Sequence, residues 1–271
     1  MEAFICLACG TQAAPSELPP ARCPICDDER QYVPAHGQRW TLMRDLRRHC
    51  RNVVDRVADG LYSVVTKPHF GIGQRAYLVQ TSEGNLLWDC VSLCDPDTVS
   101  TLWAHGGVAA IAISHPHYYS TMLEWSEAFG GIPIYLHAAD RKWVQRDGGA
   151  IEYWDGFTKP ILKDLTLVHC GGHFDGGTVL HWKQGDGLLT GDILQVCPDR
   201  KHFGFMYSYP NYIPLGPAAI HHIVKSLAPF EFDNAYGAFG NAIEGGAKEA
   251  VRFSAERHLR AISPSATFHA S

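Results

Sequence analysis

Two groups of residues in this chain have the types and spacing for metal chemistry. Cys6-Leu7-Ala8-Cys9-Gly10 and Cys23-Pro24-Ile25-Cys26-Asp27 are C-x-x-C knuckles separated by thirteen residues. Tetrahedral zinc takes four soft thiolates, and each tight turn presents two sulfurs with backbone N–H groups turned toward them. A rubredoxin-like iron site uses the same ligands, but the short segment and the commoner occupant favour zinc. Four protein ligands leave no open position, so Cys6, Cys9, Cys23 and Cys26 are expected to hold structure, or a partner, and to do no hydrolytic chemistry. The second group is dispersed: His115 and His117 in Ser114-His115-Pro116-His117-Tyr118, His173 after Cys170-Gly171-Gly172, and Asp192 after Gly191. Each follows a predicted strand, where a side chain is exposed yet rigidly held. Alternation in an extended segment would put His115 and His117 on one side, converging on one ion. Gly171-Gly172 lets the backbone turn tightly before His173.

The elements that must position these residues alternate between strands and helices. The first module is expected to end near Gly37, with Trp40 starting a different pattern. Thr41 caps a predicted helix in which Leu42, Leu46, Val53 and Val57 recur, with Gly60 as its stop. Arg44, Arg47, Arg48 and Arg51 form a basic stripe on it, read as a solvated face. Strands are predicted over 61–66, 76–81, 86–91, 108–114, 134–137, 165–170, 178–182, 188–190 and 232–236. The run 108–114 is continuously apolar and should be buried on both faces. Helices are predicted from Asp95-Pro96 to Gly106 and over 120–129, 217–227 and 247–262.

In this order and on this strand pattern, the dispersed residues resemble the metallo-β-lactamase superfamily from about Gly60 to the C-terminus. Asp89, in Leu86-Leu87-Trp88-Asp89-Cys90, resembles the first family motif, an aspartate that orients the metal site by hydrogen bonding. His115-Pro116-His117 resembles the start of the HxHxDH motif, Gly171-Gly172-His173 the third motif and Gly191-Asp192 the fourth. The resemblance implies an α/β fold, a four-layer αββα sandwich over 39–271, preceded by a small zinc ribbon over 1–38. It also marks departures. Tyr119 and Ser120 stand where the motif has Asp and His, and no His lies between His222 and His258, where a late histidine belongs. In the family those residues complete a second metal site, so one ion is implied here, held by His115, His117 and His173 with Asp192 nearby.

With zinc, three neutral imidazoles and an open position bring the pKa of bound water toward about 7. The expected activity is hydrolysis of a small ester, lactone or thioester by a mononuclear zinc-bound hydroxide. Asp192 either ligates the ion or accepts the water's proton. Tyr119 is a catalytic candidate, a phenol placed to donate to the leaving group or oxyanion, or else it fills vacated space. Two alternatives stay open: a mononuclear non-haem iron(II) oxygenase using two histidines and a carboxylate, and a non-enzymatic binding protein that meets a partner through the ribbon. Gly71-Ile72-Gly73 is too short for a nucleotide loop. His137, His169 and His181 are read as structural, Cys50, Cys90, Cys94, Cys170 and Cys197 as small buried hydrophobes, and Tyr207, Tyr209 and Tyr212 as a loop lining the pocket.

Composition bounds the partners. The 271 residues are 46% hydrophobic and 19% charged, ordinary globular values. Twenty-three Lys+Arg against 28 Asp+Glu give a net charge of -5, with no basic block to track a phosphate backbone. No apolar stretch reaches the roughly 18 residues needed to span a bilayer. The first twenty residues carry Cys6, Cys9 and three prolines where a signal peptide needs a charged start and an apolar run. A cytoplasmic protein is expected, with a small-molecule substrate, no nucleic acid or membrane partner, and either a homo-oligomer or a protein partner at the ribbon.

Overall fold

The computed structural model describes residues 1–263. One sheet follows chain order through seven strands: Arg51–Ala58, Leu61–Lys67, Arg75–Val79, Leu86–Trp88, Ala110–Ala112, Ile134–His137 and Ile151–Trp154. Hairpins make its first pairs antiparallel. From Leu86–Trp88 onward the three pairs are parallel, because the helices Pro96–Ala104 and Met122–Ala128, and then the 3-10 segment Ala138–Trp143, carry the chain back before the next strand. The other sheet has six strands: Thr158–Pro160, Leu165–His169, Thr178–Trp182, Gly187–Gly191, Asn234–Gly237 and Ala242–Glu244. Its one parallel pair, Gly187–Gly191 with Asn234–Gly237, is spanned by the helix Pro217–Leu227.

Strand alternation sorts the apolar side chains into three cores. Leu61, Tyr77, Val79, Leu86 and Trp88 meet Leu165, Leu167, Leu180, Trp182 and Leu189 between the sheets. Leu78, Leu87 and Ile111 face outward onto Leu102, Met122 and Trp125 of the two helices on the first sheet. Val168, Val179, Leu188 and Ala235 face outward onto Ile220, Ile223, Val251 and Ala255, from Pro217–Leu227 and Ala247–Ile262. The result is the αββα order of layers, and Ala110–Ala112 is buried on both faces.

One predicted element is corrected. The sequence predicts a single helix to Gly60, but the helix is only Met43–His49, and Arg51–Ala58 is a strand. Cys50 is extended and ends the helix. Asp59-Gly60 then forms a two-residue hairpin loop between Ala58 and its partner Leu61, with Gly60 at φ 71°. The strand is at the sheet edge and only half-buried, so its apolar residues fit a helical period by accident. The arginine stripe is correspondingly split: Arg44 pairs with Glu2 and Arg48 with Asp45, while Arg47 donates to the Cys94 carbonyl.

In the ribbon, Ile5–Cys6 pairs antiparallel with Trp40–Thr41, so its backbone pairing runs past residue 38. Ile5 is buried against Leu46 and Leu93. The Cys9-Gly10 knuckle lies on the loop containing Gly71: a Cβ at Gly71 would stand 3.2 Å from the Gly10 nitrogen, and one at Gly10 would stand 2.2 Å from Ser92 Oγ. Both glycines also have positive φ, which explains the small residues without any nucleotide.

Candidate metal centre

The four knuckle cysteines are buried, with Cys6 Sγ 3.6 Å from Cys26 Sγ and Cys9 Sγ 3.6 Å from Cys23 Sγ. Sulfurs at about 2.3 Å from a tetrahedral zinc stand about 3.8 Å apart, so the cluster has the right size. Hydrogen bonds among the sulfurs push the Cys6 and Cys23 thiols down and the Cys9 and Cys26 thiols up. Cys9 N donates to Cys6 Sγ at 3.5 Å and Gln38 Nε2 donates to it at 3.1 Å.

His115, His117, His173 and Asp192 form the second buried cluster, with one ligand atom from each lying within 4.8 Å of all the others. His117 Nδ1 is 3.3 Å from His173 Nε2, and His115 Nε2 is 3.6 Å from Asp192 Oδ2. Ligands at about 2.0–2.1 Å from a tetrahedral ion are about 3.4 Å apart, so these separations are close to the edges of one coordination shell. His115 Nε2 and Asp192 Oδ1 are buried without a hydrogen-bond partner among the described residues, as donor atoms awaiting an ion would be.

The path to this arrangement differs from simple alternation. His115 is extended, but Pro116–Tyr118 is a 3-10 turn, and the turn swings His117 beside His115 with ring centroids 5.1 Å apart. Asp89, at φ 62°, accepts from Ser114 N at 2.7 Å and Ser114 Oγ at 3.1 Å. Ser114 Oγ then accepts from His115 Nδ1 at 2.8 Å, leaving the Nε2 lone pair for metal. His173 Nδ1 donates to the Met206 carbonyl at 3.1 Å, with the same effect. Burial holds His115 and His173 down at about 3 and His117 well below its ordinary value, so all three are neutral. Burial raises Asp192 to about 6 and Asp89 to about 8, the latter against two bonds from Ser114.

Tyr119 is placed elsewhere. Its ring is in the core under the first sheet and its hydroxyl donates to the Asp140 carbonyl at 3.4 Å, so it fills space and does not line the metal cavity. Ser120 Oγ is hydrogen-bonded to Ser92 Oγ at 2.9 Å, and Ser92 Oγ also donates to the Gly10 carbonyl. Ala238, where the late histidine is missing, is buried among apolar residues. Core and ribbon contacts thus occupy the positions of the missing ligands.

The metal cluster opens into a cavity of about 390 Å³. Its lining includes His69, Ile72, Tyr209, Pro210 and Phe239, and also Ala8, Gln31 and Tyr32 of the ribbon, which is therefore a wall of the site and not a detached module. Of the three tyrosines singled out in the sequence, Tyr209 lines the cavity and donates to the Asp192 carbonyl at 3.1 Å, Tyr207 donates to Glu29, and Tyr212 is exposed. Sequence reasoning missed His69, Gln31, Tyr32 and Ser114. The positive-φ glycines at 71 and 73 mark the loop beside His69, and no spacing rule points to the others. His137 stacks on His169 at 3.9 Å and His181 bonds the Glu231 carbonyl, both outside the cluster. Burial raises the Cys90, Cys94 and Cys170 thiols, so they are not activated nucleophiles; Cys50 and Cys197, also raised, are only partly buried.

No protein-family model matches the sequence. The solved structure of VMB-1 has a similar fold, with a TM-score of 0.62 and 12% identity over 79% of this chain and 99% of that one. FIM-1 from Pseudomonas aeruginosa, solved in a mono-zinc form, has a TM-score of 0.57 and 14% identity over 78% of this chain and 96% of that one. At such identities the likeness shows the fold and not the reaction. The chain is also 44% identical over 275 residues to the uncharacterized protein YmaE of Bacillus subtilis (strain 168), across 99% of this chain and 100% of the relative. With that identity and that coverage, the chain belongs to the family of YmaE, and its architecture is a metallo-β-lactamase fold carrying an N-terminal four-cysteine ribbon.

Proposed function

We propose that this protein is a metal-dependent hydrolase that uses one ion, held by His115, His117, His173 and Asp192, to cleave a small uncharged ester, lactone or thioester. The observation that carries this reading is the spacing of those four buried donor atoms at one end of a cavity. A bound zinc ion supplies Lewis acidity and lowers the pKa of a water. His115 and His173 present Nε2 because Ser114 and the Met206 carbonyl hold their other nitrogens. Asp192 turns Oδ2 toward His115, and its buried, unpartnered Oδ1 is a second oxygen that the ion would take. Among the described residues no Lys or Arg lines the cavity, which disfavours carboxylate or phosphate substrates, and Ile72, Tyr209, Pro210 and Phe239 suit an apolar body. Gln31 and His69 bring polar side chains that can orient a carbonyl.

No described helix is long and apolar enough to cross a membrane. The nine cysteines form no disulfides, and a reducing, cytoplasmic setting is the one proposed. The test is elemental analysis of protein purified without added metal, joined to a panel of neutral and carboxylated esters, lactones and thioesters. Zinc at the histidine site, turnover of neutral substrates and its loss in His173→Ala are expected. Iron at that site with oxygen consumption and no hydrolysis would overturn the proposal in favour of an oxygenase.

A further inference from the structure

We propose that the four-cysteine ribbon is a clamp on the histidine centre, with Gln74 and Arg30 as its positioning residues, so that filling the cysteine cluster raises metal affinity at the histidines. The proposal rests on the reading that the histidine cluster binds metal, and it is independent of the reaction catalysed there.

Two side chains tie a ligand's backbone to the ribbon. Gln74 is buried, and its Nε2 donates both to the Cys9 carbonyl at 2.6 Å and to the His117 carbonyl at 3.0 Å. One amide therefore joins a member of each metal cluster. Arg30 lies four residues beyond Cys26 and is 7% exposed. Its Nε and Nη2 bond Asp28 at 2.5 and 2.9 Å, and its Nη1 donates to the His173 carbonyl at 3.4 Å. The guanidinium also stands 4.0 Å from the Phe174 ring centre and 5.1 Å from those of Trp143 and Tyr207. Phe174 in turn packs against His115, His117 and His173, with centroids 5.6, 4.9 and 5.3 Å away. A buried guanidinium is tolerated only where its hydrogen bonds and ring faces are all in place, so Arg30 fixes Phe174 and the His173 backbone together.

The backbone closes the connection. Ser208 Oγ donates to the Arg30 carbonyl at 3.1 Å, and Asn211 Nδ2 donates to the carbonyls of Glu29 and Gln31 at 2.8 and 3.0 Å. The strand Met206–Ser208 that bears Ser208 also bears the carbonyl holding His173 Nδ1. An empty cysteine cluster loosens the turns that place Cys9 and Arg30, since a structural metal contributes directly to folding. His117 and His173 then lose supports of the kind that set metal affinity, and by linkage the coupling acts in both directions.

The experiment is cobalt(II) titration of the full chain and of Gln74→Leu, Arg30→Met and Arg30→Lys. Thiolate charge-transfer bands report the cysteine cluster, and the histidine centre is read from its own d–d bands, which lie at shorter wavelength than those of the tetrathiolate site and are followed after the charge-transfer bands have saturated. Gln74→Leu and Arg30→Met should keep the thiolate bands while cobalt affinity at the histidine centre falls about 10- to 100-fold. Arg30→Lys should recover only part of the loss, because an ammonium cannot make the fork. Unchanged histidine-site affinity and d–d bands in both Gln74→Leu and Arg30→Met overturn the clamp. If Arg30→Met does not fold, Gln74→Leu, which removes no charge, decides the matter. Binding is read without substrate, so a failed substrate panel defeats the hydrolase proposal and leaves this one standing or falling by itself.

Discussion

Asp89 acts on an imidazole it does not touch. Its carboxyl oxygens accept hydrogen bonds from Ser114 N–H and Oγ–H, and Ser114 Oγ is left to accept from His115 Nδ1. Ser114→Ala should therefore lower zinc affinity by about 10- to 100-fold, measured by chelator competition, and an unchanged affinity would show that His115 needs no partner. Tyr119→Phe is the contrasting case. Its one hydrogen bond is long and points into the core, so turnover should hold and stability should fall by no more than about 1 kcal/mol in urea unfolding. A folded Tyr119→Phe protein with turnover lost would restore the phenol as a donor to the substrate. The pH dependence follows from Asp192. Burial lifts its pKa to about 6 in the metal-free site, so below that pH an ion must displace its proton, whereas His115 and His173, held near 3, are already neutral. Zinc affinity should accordingly fall about tenfold per pH unit below 6, a one-proton slope. A slope of two or more would mean that the histidines also bind protons there. The four candidate ligands were legible in the sequence because they sit in short motifs at strand ends. Gln74, Arg30 and Ser114 were not, because their hydrogen bonds go to backbone carbonyls or a neighbouring carboxyl group, and such partnerships leave no spacing pattern.

At the scale of elements, the central strands were readable because they are buried on both faces, and the helix at Asp95 because its carboxylate caps the Thr98 nitrogen at 3.0 Å. The edge strand Arg51–Ala58 was misread for the opposite reason: half-buried residues show no clean period, and the Asp59-Gly60 loop was the stronger signal. The loop containing Gly71 has a function that periodicity cannot express. Gly71→Ala adds a methyl at φ 57° against the Gly10 backbone, so it should cost about 1–2 kcal/mol and loosen the ribbon. Amide exchange checks this: protection should drop at Cys6 and Gly10, whose nitrogens donate to Thr11 and Cys6 carbonyls, and remain in the sheets. Uniform loss of protection would mean that the ribbon does not open independently.

Across the whole molecule, the two clusters differ in access. The cysteine sulfurs are sealed in a core with Ile25, whereas His117, His173 and Asp192 border an open cavity. A chelator should remove the histidine-bound ion first, as followed by metal release against time, and the reverse order would contradict the geometry. The ribbon's place in that cavity was the least legible feature, since its anchors lie far away in sequence: Tyr207 and Ser208 each reach partners 178 positions earlier. That separation also sets a timetable for the growing chain. The knuckles are synthesised first, yet the strand that secures Arg30 follows only after roughly 10–40 s of elongation at 5–20 residues per second. Throughout that interval four thiols await their seat, and the newborn protein is at its most vulnerable to oxidants and to capture of the wrong ion.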